Sequence, residues 1–308
     1  MKDQEAPLLE VKDLKVSFSM YRKGLRKTRL DVIQSLSLNV RRGEIVAVVG
    51  SSGSGKSLLA HAVLGILPRN ASTEGSIRYE GKNLTPALQK KLRGTEIALI
   101  PQSVDYLDPL MRVGKQVVGV NSSEQAQKAA FRRYELEERV ERLYPFQLSG
   151  GMARRVLVST AVTMQPKLIV ADEPTPGLSV ELAIETLRHF REFADNGAAV
   201  LLITHDIDLA LSVADRIAVF YAGTTVELAP AEDFKNGRDF LRHPYSKAFI
   251  DALPQNGFHP IAGAQPYAGN LPSGCLFAQR CSIRTQACSG EIAMRNVRGG
   301  EVRCIHAT

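Results

Sequence analysis

The amino-acid sequence predicts an α/β protein: a parallel-sheet core carrying an inserted helical subdomain, followed by a small cysteine-containing C-terminal extension. Three observations support this. First, a short β-branched run, Ile45 to Val49, passes through a glycine-serine loop into an amphipathic helical pattern, and a second apolar run, Leu168 to Ala171, ends in two adjacent acids. Second, strand and helix signals fill Leu8 to about Leu92 and return after the second run through about Ala229, while Gln102 to about Val162 reads as mainly helical. Third, all four cysteines lie at position 275 or beyond. The expected division is 1–230 for the main domain, with the helical part at about 102–162, and 231–308 for the extension.

A chain of 308 residues can bury a large core, and 44% hydrophobic with 23% charged residues describes an ordinary globular composition. The apolar runs are strand-length, far short of the roughly 20 residues that cross a bilayer. The first residues, Met1 to Val11, contain no apolar stretch of signal-peptide length, which points to an intracellular protein without disulfides. The net charge of +7 admits nucleic acid as a partner, but the basic residues are dispersed apart from Tyr21 to Arg29. No aromatic-interleaved basic motif accompanies that run, so a solvated loop and no nucleic-acid partner are expected. "YEGKNL" and "YAGTTVEL" read as hairpin turns from their glycines.

The glycine-serine loop, Gly50, Ser51, Ser52, Gly53, Ser54, Gly55, Lys56 and Ser57, satisfies G-x-x-x-x-G-K-[ST] between the strand and the helix this motif requires, with Leu58 continuing the helix. Its glycines let successive backbone N–H groups converge on phosphate oxygens at a helix N-terminus. Lys56 would reach the β- and γ-phosphates of a nucleotide, and the Ser57 hydroxyl would coordinate magnesium. At the end of the second run, Asp172 would hold the magnesium shell and Glu173 would orient or deprotonate the attacking water. Ser149, Gly150 and Gly151, opening another helical pattern, make a second anion site. Two such helix starts, about a hundred residues apart, are difficult to close around one nucleotide within one chain.

The ordered set GSSGSGKS, the glutamine of "IPQSVDYLDP", LSGGM, LIVADEPT and "LLITHD" resembles the nucleotide-binding subunits of ATP-binding cassette transporters over about Leu9 to Glu227. The resemblance implies a RecA-like core with the helical insertion, an ATPase activity using ATP and Mg2+, and head-to-tail pairing of two such subunits. In that arrangement Ser149, Gly150, Gly151 and Met152 serve the γ-phosphate on the opposite subunit. Gln102 senses magnesium and the membrane partner, His205 contacts the γ-phosphate and positions water, and an N-terminal aromatic, Phe18 ahead of Tyr21, stacks on adenine. One departure is Met152 where glutamine is commoner, although the peptide-importer branch often uses methionine. Another is Ser179, where the loop after the acids usually ends in aspartate, which puts the symmetry of hydrolysis in doubt.

Arg242 to Pro254, "RHPYSKAFIDALP", resembles the ATP-binding subunits of oligopeptide, dipeptide and nickel importers, and so does the cysteine tail. The implied assembly holds a second, paralogous ATPase subunit, two permease subunits and an extracytoplasmic substrate-binding protein, at the cytoplasmic face of the inner membrane. Cys275, Cys281, Cys288 and Cys304 sit in a Gly/Pro-rich segment with little capacity for its own core, which suggests a bound metal centre. The resemblance favours a 4Fe-4S cluster, with zinc or free thiols as alternatives. The phosphate loop and the cysteine tail are expected to belong to separate subdomains. A cassette ATPase acting on nucleic acid or ribosomes, its tail a metal-binding module, is the rival reading.

Overall fold

In the computed structural model, which describes residues 6–21, 27–51, 53–120 and 122–308, the sheet is organised around a strand buried along its whole length, β3 (Ile45–Gly50). Before it come β1 (Leu9–Tyr21) and β2 (Lys27–Val40), and after it α1 (Lys56–Leu64), β4 (Ala71–Tyr79), β5 (Lys82–Asn83), α2 (Pro86–Leu92) and β6 (Ile97–Ile100). Three helices follow, α3 (Val113–Val118), α4 (Glu124–Arg133) and α5 (Gly150–Val162). The chain then returns to the sheet through β7 (Leu168–Asp172), α6 (Val180–Asp195), β8 (Ala199–Ile203), α7 (Ile207–Val213), β9 (Arg216–Tyr221) and β10 (Thr224–Pro230). It closes with α8 (Ala231–Lys235), α9 (Pro244–Asp251), β11 (Arg295–Val297) and β12 (Gly300–Val302).

Strands β9, β3, β8, β7 and β6 lie side by side and parallel. Each is buried on both faces, so its residues alternate between two cores. In β3, Ile45, Ala47 and Val49 face a core completed by α5, α6 and α7, and Val46 and Val48 face one completed by α1 and the β1–β2 pair. Strand β10 turns back antiparallel on β9 and meets β2 at one parallel pair, Thr224 with Ser35, which joins the antiparallel β2, β1, β4 and β5 to the sheet. Both expected turns are hairpins: Glu80-Gly81 joins β4 to β5 and Ala222-Gly223 joins β9 to β10, all four residues with positive φ. Of the basic run, 22–26 lies outside the described residues, while Tyr21 ends β1 and Lys27 to Arg29 begin β2 rather than a loop.

The C-terminal extension does not stand apart from the sheet. β12 pairs antiparallel with β10 through Glu227 with Val302 and Leu228 with Glu301, and Tyr245 and Phe277 are buried in the main core. A three-residue strand carries no readable period, which is why the sequence separates this segment from the cassette. The fastening is polar and buried. Glu227, fully buried, accepts the Arg242 backbone N–H at 2.9 Å and guanidinium at 3.3 Å, and the His243 N–H at 2.8 Å. The Arg242 Nε–H reaches on to the Val297 carbonyl at 2.6 Å, beside β11 and β12. Removing one member of such a pair leaves an uncompensated buried charge, at about 3–5 kcal/mol.

His243 caps α9 by accepting the Tyr245 N–H at Nδ1, 3.0 Å away, and burial pushes its pKa down to about 3. The folded protein therefore keeps it neutral while the unfolded chain takes up a proton below about pH 6.5, so this contribution is complete above that pH and declines as pH falls toward 3. Between pH 7 and 5 the loss amounts to about 2 kcal/mol. His243→Asn, which keeps a cap acceptor without titrating, is expected to flatten the pH dependence of urea unfolding by that amount. Equal slopes for the two proteins would rule His243 out as the titrating group.

Candidate nucleotide site

The phosphate loop leaves β3 at Gly50, where φ is +151° and a Cβ would lie 2.1 Å from the Phe220 carbonyl oxygen of the neighbouring strand. Only glycine fits there. The loop enters α1 through Gly55, whose φ of 93° lies in the left-handed region. Lys56 is buried, and its ammonium donates to the carbonyls of Gly50 at 2.9 Å and Ser51 at 3.0 Å, leaving one further donor. Burial lowers its pKa, opposed by the charges of Glu173 and Asp172. Ser54 Oγ is buried with no hydrogen-bond partner among the described residues, Gly53 is exposed, and Leu58 leans on the second core. Ser52 lies outside the described residues.

The parallel register brings the acids to the same edge. Ser57 Oγ donates to Asp172 Oδ1 at 3.1 Å, and burial raises the Asp172 pKa while this hydrogen bond lowers it. A hydroxyl and a buried carboxylate in contact are the hard oxygen donors that magnesium takes. Glu173, one residue past β7, is held at φ 50° with its N–H on the Ile203 carbonyl, and its Oε2 lies 2.8 Å from His205 Nδ1. Glu173 is buried and the His205 side chain is 63% exposed, so the pair spans from the core to the open surface.

The signature residues sit on a different element. Ser149 caps α5 by accepting the Met152 N–H at 3.2 Å, and Ser149 and Gly150 are exposed. A Cβ at Gly150 would meet nothing within 4 Å, so no contact with the described residues demands glycine there. At Gly151 it would come within 3.1 Å of the Gly177 carbonyl, in the loop after the acids. That loop ends at Ser179, which caps α6 by accepting the Leu182 N–H. Serine thus keeps the capping duty of an aspartate and drops its charge. Gln102 follows β6 with an exposed side chain. Phe18, on β1, is half-buried against the second core, and Tyr21, at the end of β1, is 66% exposed.

Residues 33–176 match the family described as ABC transporter, and 226–288 match the oligopeptide/dipeptide transporter C-terminal region. The oligopeptide transport ATP-binding protein AppD of Bacillus subtilis is 33% identical, with 96% of each chain covered. OppD of Escherichia coli, another oligopeptide transport ATP-binding protein, is 32% identical over 97% of this chain and 93% of its own. The chain belongs to the oligopeptide/dipeptide ABC transporter ATP-binding proteins. A solved dimeric bacterial ABC transporter cassette shares the fold at a TM-score of 0.64 and 25% identity, covering 72% of this chain and 98% of that one.

As an ABC transporter ATP-binding protein the chain is an ATPase, and its C-terminal match disfavours action on nucleic acid or ribosomes. Among the described residues no helix is long and apolar enough to cross a membrane. The four cysteines are free thiols that line one small cavity with His306. Burial pushes Cys275, Cys281 and Cys304 up, and nearby cysteines add to the shift. Among the described residues, however, no three His, Cys, Asp or Glu side chains stand close enough together to hold one metal ion. This arrangement supports neither the expected 4Fe-4S cluster nor a zinc site.

One site residue escapes the sequence reading. Arg154, buried on α5, donates to the Pro101 carbonyl at 2.6 Å and to the Gln102 carbonyl at 2.5 Å, tying the signature helix to the glutamine loop. The only signal was an arginine pair inside an otherwise apolar helix. Arg154→Met is expected to cost about 2 kcal/mol in urea unfolding through the two orphaned carbonyls, and to lower ATP turnover more than nucleotide affinity. A variant with parental stability and turnover would show that the contact is idle.

Proposed function

We propose that this chain is the ATPase subunit of a peptide importer, acting at the cytoplasmic face of the membrane on two separate permease subunits. The observation that supports this reading best is the convergence of Lys56, the Ser57–Asp172 contact and the Glu173–His205 pair at one sheet edge. The backbone of Gly50 to Leu58 and the Lys56 ammonium cradle the phosphates, and Phe18 lies under adenine. Ser57, Asp172 and Gln102 would hold magnesium, which would supply positive charge for the phosphates. Glu173 accepts the proton of the attacking water, and His205 fixes the carboxylate and reaches the γ-phosphate.

Ser149 to Met152 face the nucleotide of a second, paralogous ATPase subunit; the unconstrained, exposed Gly150 supports a role outside this chain. Gln102 and the following segment dock a permease, and the exposed Tyr106, Leu110 and Met111 give that surface its apolar character. Peptide is favoured over nickel because the named relatives are peptide transport proteins. An extracytoplasmic binding protein delivers it. For the cysteines we favour a 4Fe-4S cluster over zinc, on the resemblance of the tail and on the four thiols lining one cavity.

In the complex with co-expressed permeases, Glu173→Gln is expected to keep ATP binding and lose about 10²–10⁴-fold in turnover, whereas Lys56→Ala weakens binding itself. Parental turnover in Glu173→Gln would sink the base assignment. Protein prepared without oxygen should be brown and carry about four irons per chain, and Cys281→Ser should bleach it. One zinc per colourless chain, or four titratable thiols without metal, would overturn the cluster.

A further inference from the structure

One side chain of the C-terminal extension ends on a residue of the phosphate loop. Ser51 Oγ donates to Gln265 Oε1 at 2.5 Å. Ser51 is consequential, because its carbonyl and that of Gly50 hold the Lys56 ammonium. At the tip of the loop, a Cβ at Gly53 would meet nothing within 4 Å among the described residues.

That contact leads back to the cysteines. Arg280, adjacent to Cys281, donates to the Ala262 carbonyl at 2.8 Å and the Ile261 carbonyl at 2.9 Å, anchoring the irregular segment that carries Gln265. A second contact reaches the other side of the site, where Gln255 Nε2 donates to Asp208 Oδ1 at 2.7 Å, on the helix that begins two residues after His205.

We propose that Gln265 is a positioning residue of the phosphate loop, through which the cysteine module fixes the Gly50 and Ser51 carbonyls and so the Lys56 ammonium that meets ATP. A loop ordered from outside before the nucleotide arrives loses less freedom on binding, which appears as affinity. This inference rests on the ATPase reading above and places nucleotide affinity under the control of a segment that the sequence sets in another subdomain.

The test compares Gln265→Leu, Ser51→Ala, their double variant and Arg280→Met with the parent, each as the full chain in complex with its permeases. Affinity for a fluorescent ATP analogue, KM and kcat for ATP, and amide hydrogen exchange across the phosphate loop are measured. Gln265→Leu is expected to raise Kd and KM about three- to tenfold, the range of one hydrogen bond, to affect kcat less than KM, and to speed exchange in the loop. The double variant should be no worse than the more affected single one, because both remove the same contact. Arg280→Met should reproduce the loss, while Gln265→Leu, with its melting temperature checked, guards against a folding defect. A Kd within twofold of the parent, multiplicative effects in the double variant, or a fall in kcat with KM unchanged would overturn the inference. A parent that fails to bind the analogue would instead overturn the ATP reading, and this one with it.

Discussion

The parallel pairing of β3 between β8 and β9 is the constraint from which the rest of the site follows. In a parallel sheet every strand delivers its C-terminal end to one edge, so the loops after β3, β7 and β8 emerge together. That single fact places the phosphate loop, the Asp172-Glu173 pair and His205 within contact of one another. The strands can do this only because they are apolar on both faces, with Ile45, Ala47 and Val49 serving one core and Val46 and Val48 the other. Gly50 then becomes obligatory, since the loop leaves the sheet against the backbone of Phe220.

The extension is built onto this frame as a further layer of the same sheet. β12 adds to β10, and the buried Glu227 carboxylate gathers Arg242 and His243 at the point where the chain leaves the cassette. The "RHPY" stretch thereby acquires a physical meaning: Arg242 joins β10 to the last hairpin, His243 caps α9, Pro244 opens that helix, and Tyr245 packs on Tyr221 and Phe277 in the main core. The segment fastened this way also touches the phosphate loop, where Ser51 donates to Gln265.

The glutamine loop and the signature helix are joined within one chain by Arg154, whose buried guanidinium donates to two backbone carbonyls through its terminal nitrogens. The contact ties the backbone of Pro101 and Gln102 directly to the helix that carries the signature residues. Ser179 fits the same frame, because the local need at the start of α6 is a cap, which serine supplies without charge.

The sequence by itself determined the elements that are contiguous and locally constrained: the phosphate loop between strand and helix, the acids at a strand end, the capped signature helix and the two glycine hairpins. Each depends on neighbours a few residues away, where backbone sterics and hydrogen-bonding period are legible in residue type. Tertiary structure alone decided the contacts that turn those parts into a site. His205 and Glu173 are 32 positions apart, Arg154 and Pro101 53, and Ser51 and Gln265 214. Over such separations no periodicity survives, and the partner of a side chain is chosen by which strands pair and which helices pack. The extension's place in the sheet was hidden for the same reason, since three residues of β12 become a strand only by hydrogen-bonding to β10.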